Sequence, residues 1–232
     1  MPLRRIITVD GLAGSGKSTL ARLLAEKLDF VHLNSGLLYR AIGYLALQEH
    51  LNLQNEEQLK SILPLHRVAL DLDLEGKGVV TLDGRNISDL IQSPEVSEAT
   101  SMASQYPCVR KKLLELQREA FPTRSMVVEG RDMGTVVFPK APLKFFVTAD
   151  ESVRVARRLA QLMEASSDKS DARREELAKK IRIEIAERDK RDMERAVAPT
   201  YAAKDAVHID NSSEPLEKVV EHMVSFAKAR SV

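Results

Sequence analysis

The chain has 232 residues, 44% of them hydrophobic, which is enough for one substantial buried core in a single compact α/β body. Its 35 Lys and Arg against 34 Asp and Glu leave a formal net charge of +1, so no global field recruits nucleic acid or an anionic membrane. The single cysteine, Cys108, excludes an intramolecular disulfide, and an aromatic content of 4% leaves few platforms for stacking bases. The five histidines are scattered without metal-ligand spacing. No apolar run approaches the roughly 18 residues that span a bilayer, and Met1 to Arg5 carries no apolar signal stretch. The expectation is a reduced, soluble, cytoplasmic protein, acting as a monomer with no nucleic-acid or membrane partner.

In chain order, Ile6-Ile7-Thr8-Val9 predicts a buried strand, and Leu20 to Leu28 predicts a helix. Between them lies Gly11-Leu12-Ala13-Gly14-Ser15-Gly16-Lys17-Ser18-Thr19, with the spacing G-x-x-x-x-G-K-[ST]. Glycines are needed in such a loop because the backbone wraps closely around a phosphate, where a Cβ would block the approach. The helix that follows adds unpaired N–H groups and the positive end of its dipole. Lys17 is expected to reach the β- and γ-phosphates of a nucleotide, and the Ser18 hydroxyl to ligate Mg²⁺.

Phe30-Val31-His32-Leu33-Asn34 is a second short strand, which gives way at Ser35-Gly36 to a helical pattern from Leu37 to about His50. Strands alternating with helices imply right-handed βαβ units on a parallel sheet, with ligands at the strands' carboxyl ends. Val68 to Leu90 breaks this rhythm: Val68 to Leu74 alternates, Glu75-Gly76-Lys77-Gly78 turns, and Val79 to Leu82 alternates again, the pattern of an antiparallel hairpin. Pro94 to Arg124 reads as helix interrupted near Tyr106-Pro107. Met126 to Gly130, Leu143 to Ala149 and Ala206 to Asp210 are the third, fourth and fifth core strands. Glu151 to Arg195 is long, charged and helical, with a turn expected at Ser166 to Ser170, and Pro215 to Arg230 closes the chain as an amphipathic helix.

Further stretches go beyond a phosphate loop. They are Asn34-Ser35-Gly36-Leu37-Leu38-Tyr39-Arg40, Ser101 with Arg110, Gly130-Arg131-Asp132-Met133-Gly134-Thr135-Val136-Val137-Phe138-Pro139, Arg157-Arg158, and Glu187-Arg188-Asp189-Lys190-Arg191-Asp192-Met193-Glu194-Arg195-Ala196-Val197-Ala198-Pro199. In this order, and with the β insertion, the whole chain resembles the bacterial cytidylate kinase family. The resemblance implies a P-loop NTPase fold, with a five-stranded parallel sheet flanked by helices, a small antiparallel β insertion and a helical lid. Residues 1–34, 125–150 and 196–232 would form the core, 35–124 the acceptor-binding region and 151–195 the lid.

It also implies transfer of the ATP γ-phosphoryl group to CMP or dCMP, with Mg²⁺ as cofactor. Gly11 through Thr19, with Arg157 and Arg158, would bind ATP; Ser35, Arg40, Ser101, Arg110, Arg131, Asp132, Arg188 and Asp192 would bind CMP; and Lys17, Arg131, Arg158, Arg188 and Arg195 would act on the transferring group. Ser101, Arg110 and Asp132 look like the cytosine readers. The family commonly has Asp where this chain has Asn34. The chemistry asks for such residues on its own account: an arginine fork binds phosphate oxygens in pairs and stays charged, and a carboxylate accepts from the cytosine amine. From the residues alone, a kinase with UMP or AMP as acceptor, or a nucleotide-dependent switch, stays open. No N-K-x-D base-reading run is present, and acceptor-side arginines would have no purpose in a switch.

Overall fold

In a computed structural model, residues 4–74, 76–164 and 168–232 are described. Met1 to Leu3, Glu75 of the expected hairpin turn, and Ser166 and Ser167 of the expected turn between helices lie outside these residues. The central sheet has five parallel strands: β1 (Ile6–Gly11), β2 (Val31–Asn34), β6 (Met126–Gly130), β7 (Leu143–Thr148) and β8 (Val207–Asp210), in the order β2-β6-β1-β7-β8. Parallel strands covered on both faces carry near-continuous apolar runs, and here Ile7, Val9, Val127, Val128, Leu143, Phe145 and Val147 are buried. Helices α1 (Lys17–Leu28) and α8 (Leu216–Ala229) cover one face through Leu20, Leu24, Val219, Val220 and Met223.

Residues 35–124 build a second core of their own. Helices α2 (Ser35–Gln48), α3 (Glu56–Ile62), α4 (Pro94–Ala103) and α5 (Pro107–Glu119) pack with the antiparallel strands β3 (Val68–Leu72), β4 (Gly78–Leu82) and β5 (Arg85–Asn86) around Leu38, Ile42, Leu59, Val80, Ile87, Ile91, Val109 and Leu113. The helices α6 (Glu151–Glu164) and α7 (Asp171–Glu194) meet along a narrow apolar seam of Val155, Ile181 and Ile185, and their other faces are charged. That seam is thin next to the two main cores, as expected for a polar hairpin.

The structure departs from the sequence expectations at three places. Helix α2 begins at Ser35, two residues earlier than its apolar periodicity suggests, because the Asn34 side chain accepts from the Gly36 N–H at 2.9 Å and caps the helix. Helix α3 was not anticipated; Asn55 caps it by accepting from Glu57 N–H at 3.1 Å. Helix α7 ends at Glu194, so Arg195, expected as the last residue of the charged helical stretch, is its first non-helical residue (φ −59°, ψ 143°).

Helices α2 and α4 cross closely at Gly43, where an added Cβ would lie 2.4 Å from Thr100 Oγ1 and 2.8 Å from Thr100 N. The backbone of α4 cannot yield there without separating the two helices. Gly43→Ala is therefore expected to lose about 1–3 kcal/mol of stability, read from the urea unfolding midpoint. An unchanged midpoint would show that this crossing tolerates separation at no cost.

Candidate active site

Lys17 follows β1, and Arg131 and Asp132 follow β6, at the carboxyl ends of strands where an open parallel sheet places its ligands; Arg40, Arg110, Arg157, Arg158, Arg188 and Asp192 are carried by helices. The glycine-rich loop joins β1 to α1. Gly16 has φ 84°, and a Cβ there would stand 2.3 Å from Asn211 Nδ2, which donates to the Ser15 carbonyl at 2.8 Å; no other residue fits that position without strain. Lys17 Nζ folds back to donate to the Leu12 carbonyl at 3.1 Å. Burial, reinforced by the nearby Arg131 charge, pushes the Lys17 ammonium down to about 7.

The hairpin of α6 and α7 is anchored to this loop. Asp189 accepts from the Ala13 N–H at 3.1 Å and pairs with Arg154, whose guanidinium also donates to the Ala13 carbonyl at 3.1 Å. Arg157 donates to the Asn211 carbonyl at 2.8 Å, beside Gly16. Arg158 is half-buried, and its charge helps burial to lower the Arg40 guanidinium. Ser18 and Thr19 are exposed at the start of α1.

Two buried carboxylates organise the opposite side. Asp132 follows β6 and accepts from Arg110 Nη2 of α5 at 2.5 Å, and Arg195 Nη2 stands 3.5 Å from its other oxygen. The Arg110 guanidinium also donates to the Ser104 carbonyl at 3.2 Å and lies 5.3 Å from the centre of the Tyr39 ring. Asp192 accepts from Arg131 Nε at 2.9 Å and lies within 4.0 Å of Arg188 and 3.5 Å of Arg195. Burial pushes the Asp192 carboxyl up, but Arg131, Arg188 and Arg195 outweigh it and hold it below the usual carboxylate range. Arg131 Nη1 completes the link to the loop by donating to the Gly11 carbonyl at 3.0 Å.

Positive charge outnumbers negative here. Arg188 is pushed down to about 10 by burial and by Arg131 and Arg40, and Arg195 is lowered by burial and by Arg110. Among the described residues, Ser101 Oγ, Arg188 Nε and Arg195 Nη2 are buried polar atoms with no hydrogen-bond partner. Ser101, Arg110, Arg131, Asp132, Arg188, Asp192 and Arg195 come from four separate stretches of chain and are all buried or half-buried. Unsatisfied donors and crowded cations at the mouth of a parallel sheet are suited to holding anions. Ser35 differs: its hydroxyl donates to the Glu129 carbonyl at 2.6 Å and ties α2 to β6.

Five residues not singled out in the sequence belong to the same region: Asp10, His32, Glu129, Arg154 and Asp189. Asp10 and Glu129 had a signal, each being an acidic residue that ends an apolar strand just before a glycine. Glu129 is buried, accepts from Ser18 Oγ at 2.5 Å, and lies 3.3 Å from His32 Nε2. Burial pushes Glu129 up, but His32, Lys17 and Ser18 together outweigh it and hold it below the usual carboxylate range. Asp10 accepts from the Met133 and Gly134 N–H groups, and burial pushes it up to about 6. Cys108 is half-buried, and its thiol is pushed up to about 11 by burial, which makes it a poor nucleophile. No helix among the described residues is long and apolar enough to cross a membrane.

Known proteins match along nearly the whole chain. A cytidylate kinase of Azotobacter vinelandii is 40% identical over 230 residues, covering 98% of this chain and 96% of that relative. One from Pelotomaculum thermopropionicum is 40% identical over 231 residues, covering 96% of each chain, and one from Stutzerimonas stutzeri is 40% identical over 221 residues, covering 95% of this chain and 93% of its own. The family model for cytidylate kinase matches residues 7–229. The chain belongs to the cytidylate kinase family.

Proposed function

We propose that the chain transfers the γ-phosphoryl group of ATP to CMP or dCMP, giving ADP and CDP or dCDP. The observation that carries this reading is the buried Arg110–Asp132 pair, set beside a cluster of arginines and facing a phosphate-binding loop. Phosphoryl transfer between two anions leaves little covalent work for a protein: the repulsion must be neutralised and the oxygens aligned. Lys17 and the loop amides hold the donor phosphates, and Arg40, Arg131 and Arg188 hold the acceptor phosphate. Arg157, Arg158 and Arg195 complete the positive surround, and residues 151–195 act as the lid that excludes water. Asp192 and Arg188 are assigned to the sugar of CMP.

The reader for the base is Ser101, Arg110 and Asp132. Asp132 accepts from the exocyclic amine of cytosine, while Arg110 donates to its ring acceptors. Uracil would set O4 against the carboxylate with no proton between them, a mismatch left unpaired in a buried site. A different acceptor base is therefore the reading this geometry disfavours.

Bound with ATP, Mg²⁺ would supply positive charge against the donor phosphates. The residues fit such an ion: Ser18 and Glu129 offer hard oxygen ligands, and Glu129 is a buried carboxylate held below the usual range, with Oε1 3.3 Å from His32 Nε2.

Two measurements test this reading. ADP release with CMP, dCMP, UMP, AMP or no acceptor is expected only with CMP and dCMP, and Lys17→Ala is expected to abolish it. Asp132→Asn presents an amide in place of the acceptor-only carboxylate and is expected to lower the CMP-to-UMP ratio of kcat/KM by about tenfold or more; an unchanged ratio would contradict the base reader. The second concerns Lys17, which is largely neutral in the free protein near pH 8 because its pKa is pushed down to about 7. A bound polyphosphate favours the charged form, so ATP binding near pH 8 is expected to take up about 0.5–1 proton per site. Calorimetry in two buffers of different ionisation enthalpy reads this uptake. Lys17→Ala should lose it, and equal uptake in that variant would assign the proton to another group.

A further inference from the structure

We propose that Asp10 is a positioning residue for base recognition: its carboxylate caps the turn after β6 from the neighbouring strand, and so releases the Asp132 carboxylate to read the base. The inference rests on the assignment of Arg110 and Asp132 as the cytosine reader.

The turn in question is Met133–Val137, a single wide helical turn entered at Asp132 (φ −144°, ψ 23°). The first N–H groups of any helical turn have no partner within it, and Asp is among the residues best suited to supply one from the residue just before. Asp132 occupies that position, yet its side chain makes no capping hydrogen bond. Both its oxygens face arginines instead, Arg110 at 2.5 Å and Arg195 at 3.5 Å.

Asp10 does the capping from another strand. Its Oδ1 accepts from the Met133 N–H at 2.8 Å and its Oδ2 from the Gly134 N–H at 2.7 Å. The β1–β6 register sets Asp10 opposite Gly130, at the point where β6 ends, so its side chain reaches the next amides of the chain as they turn away. Gly134 comes so close that a Cβ there would stand 2.8 Å from Thr8 Oγ1, 3.1 Å from Lys144 Cδ and 3.3 Å from Asp10 Oδ2. Without Asp10, two buried amides lose their acceptor, and Asp132 is the residue in the capping position of that turn. Capping would then compete with base recognition for one side chain.

The test is steady-state kinetics of Asp10→Asn with CMP and UMP as acceptors. Asn keeps the size but offers one acceptor and a donor, which faces one of the two N–H groups. The expected result is a KM for CMP raised by about tenfold or more, a KM for ATP within about threefold of the starting protein, and a reduced preference for CMP over UMP. In an Asp132→Asn background the same change should have little further effect on that preference, since the competing carboxylate is already gone. An unchanged KM for CMP, or KM values for CMP and ATP that rise together, would overturn the inference. If Asp10→Asn does not fold, Gly134→Ala is read by the same criteria, because its Cβ pushes the turn off the Asp10 carboxylate. If the unaltered protein itself uses UMP as well as CMP, the base reader assignment fails, and the inference with it.

Discussion

The constraint on which the site depends is the crowding of like charges. Burial, reinforced by neighbouring guanidinium charges, lowers the affinity of Lys17, Arg40, Arg188 and Arg195 for protons. Left alone, such a cluster would swell or recruit solvent. It is held in place by Asp132 and Asp192, which between them engage Arg110, Arg131, Arg188 and Arg195. The carboxylates neutralise part of the charge and fix the geometry of the guanidinium groups. Lys17 and Arg188 still remain depressed, so the carboxylates do not balance all of the positive charge.

The halves of the site are also joined through the backbone of the glycine-rich loop. Arg131 donates to the Gly11 carbonyl, Asp10 holds the turn after β6, and Asp189 with Arg154 grips both the N–H and the carbonyl of Ala13. The roots of α6 and α7 are therefore anchored at the loop, while the distal part of the hairpin is held by little more than its own apolar seam. The bidentate pair of Arg191 with Glu98 of α4 adds an exposed bridge from α7 to the region that carries Arg40, Ser101 and Arg110. An exposed pair of this kind contributes modestly to stability.

The sequence made the loop, the five core strands and the charged hairpin legible, because each is local: glycine spacing, apolar runs and charge density are all read within about twenty residues. The long motifs around Arg131 and Arg188 gave the site its residues. The supporting contacts were hidden because they join residues more than a hundred positions apart. Asp10 meets Met133 and Gly134, Glu129 meets Ser18, and Asp189 meets Ala13, and no periodicity connects such pairs. Charge density alone misled at Arg195, which the charged helical stretch includes; the helix stops at Glu194, and the Arg195 side chain donates to the Ala198 carbonyl at 2.7 Å. Asn34, in place of the family's usual Asp, serves as a helix cap, a role that either residue fills.

The most direct test of the account is the thermal unfolding midpoint with CMP plus a non-hydrolysable ATP analogue, compared with cytidine plus adenosine at the same concentrations. If phosphates balance the remaining charge of the cation cluster, the charged pair raises the midpoint by at least about 5 °C at a hundredfold excess over Kd, and the uncharged pair leaves it nearly unchanged. Equal shifts with both pairs, or no shift with the nucleotides, would contradict the claim that the site is built around charge awaiting phosphate.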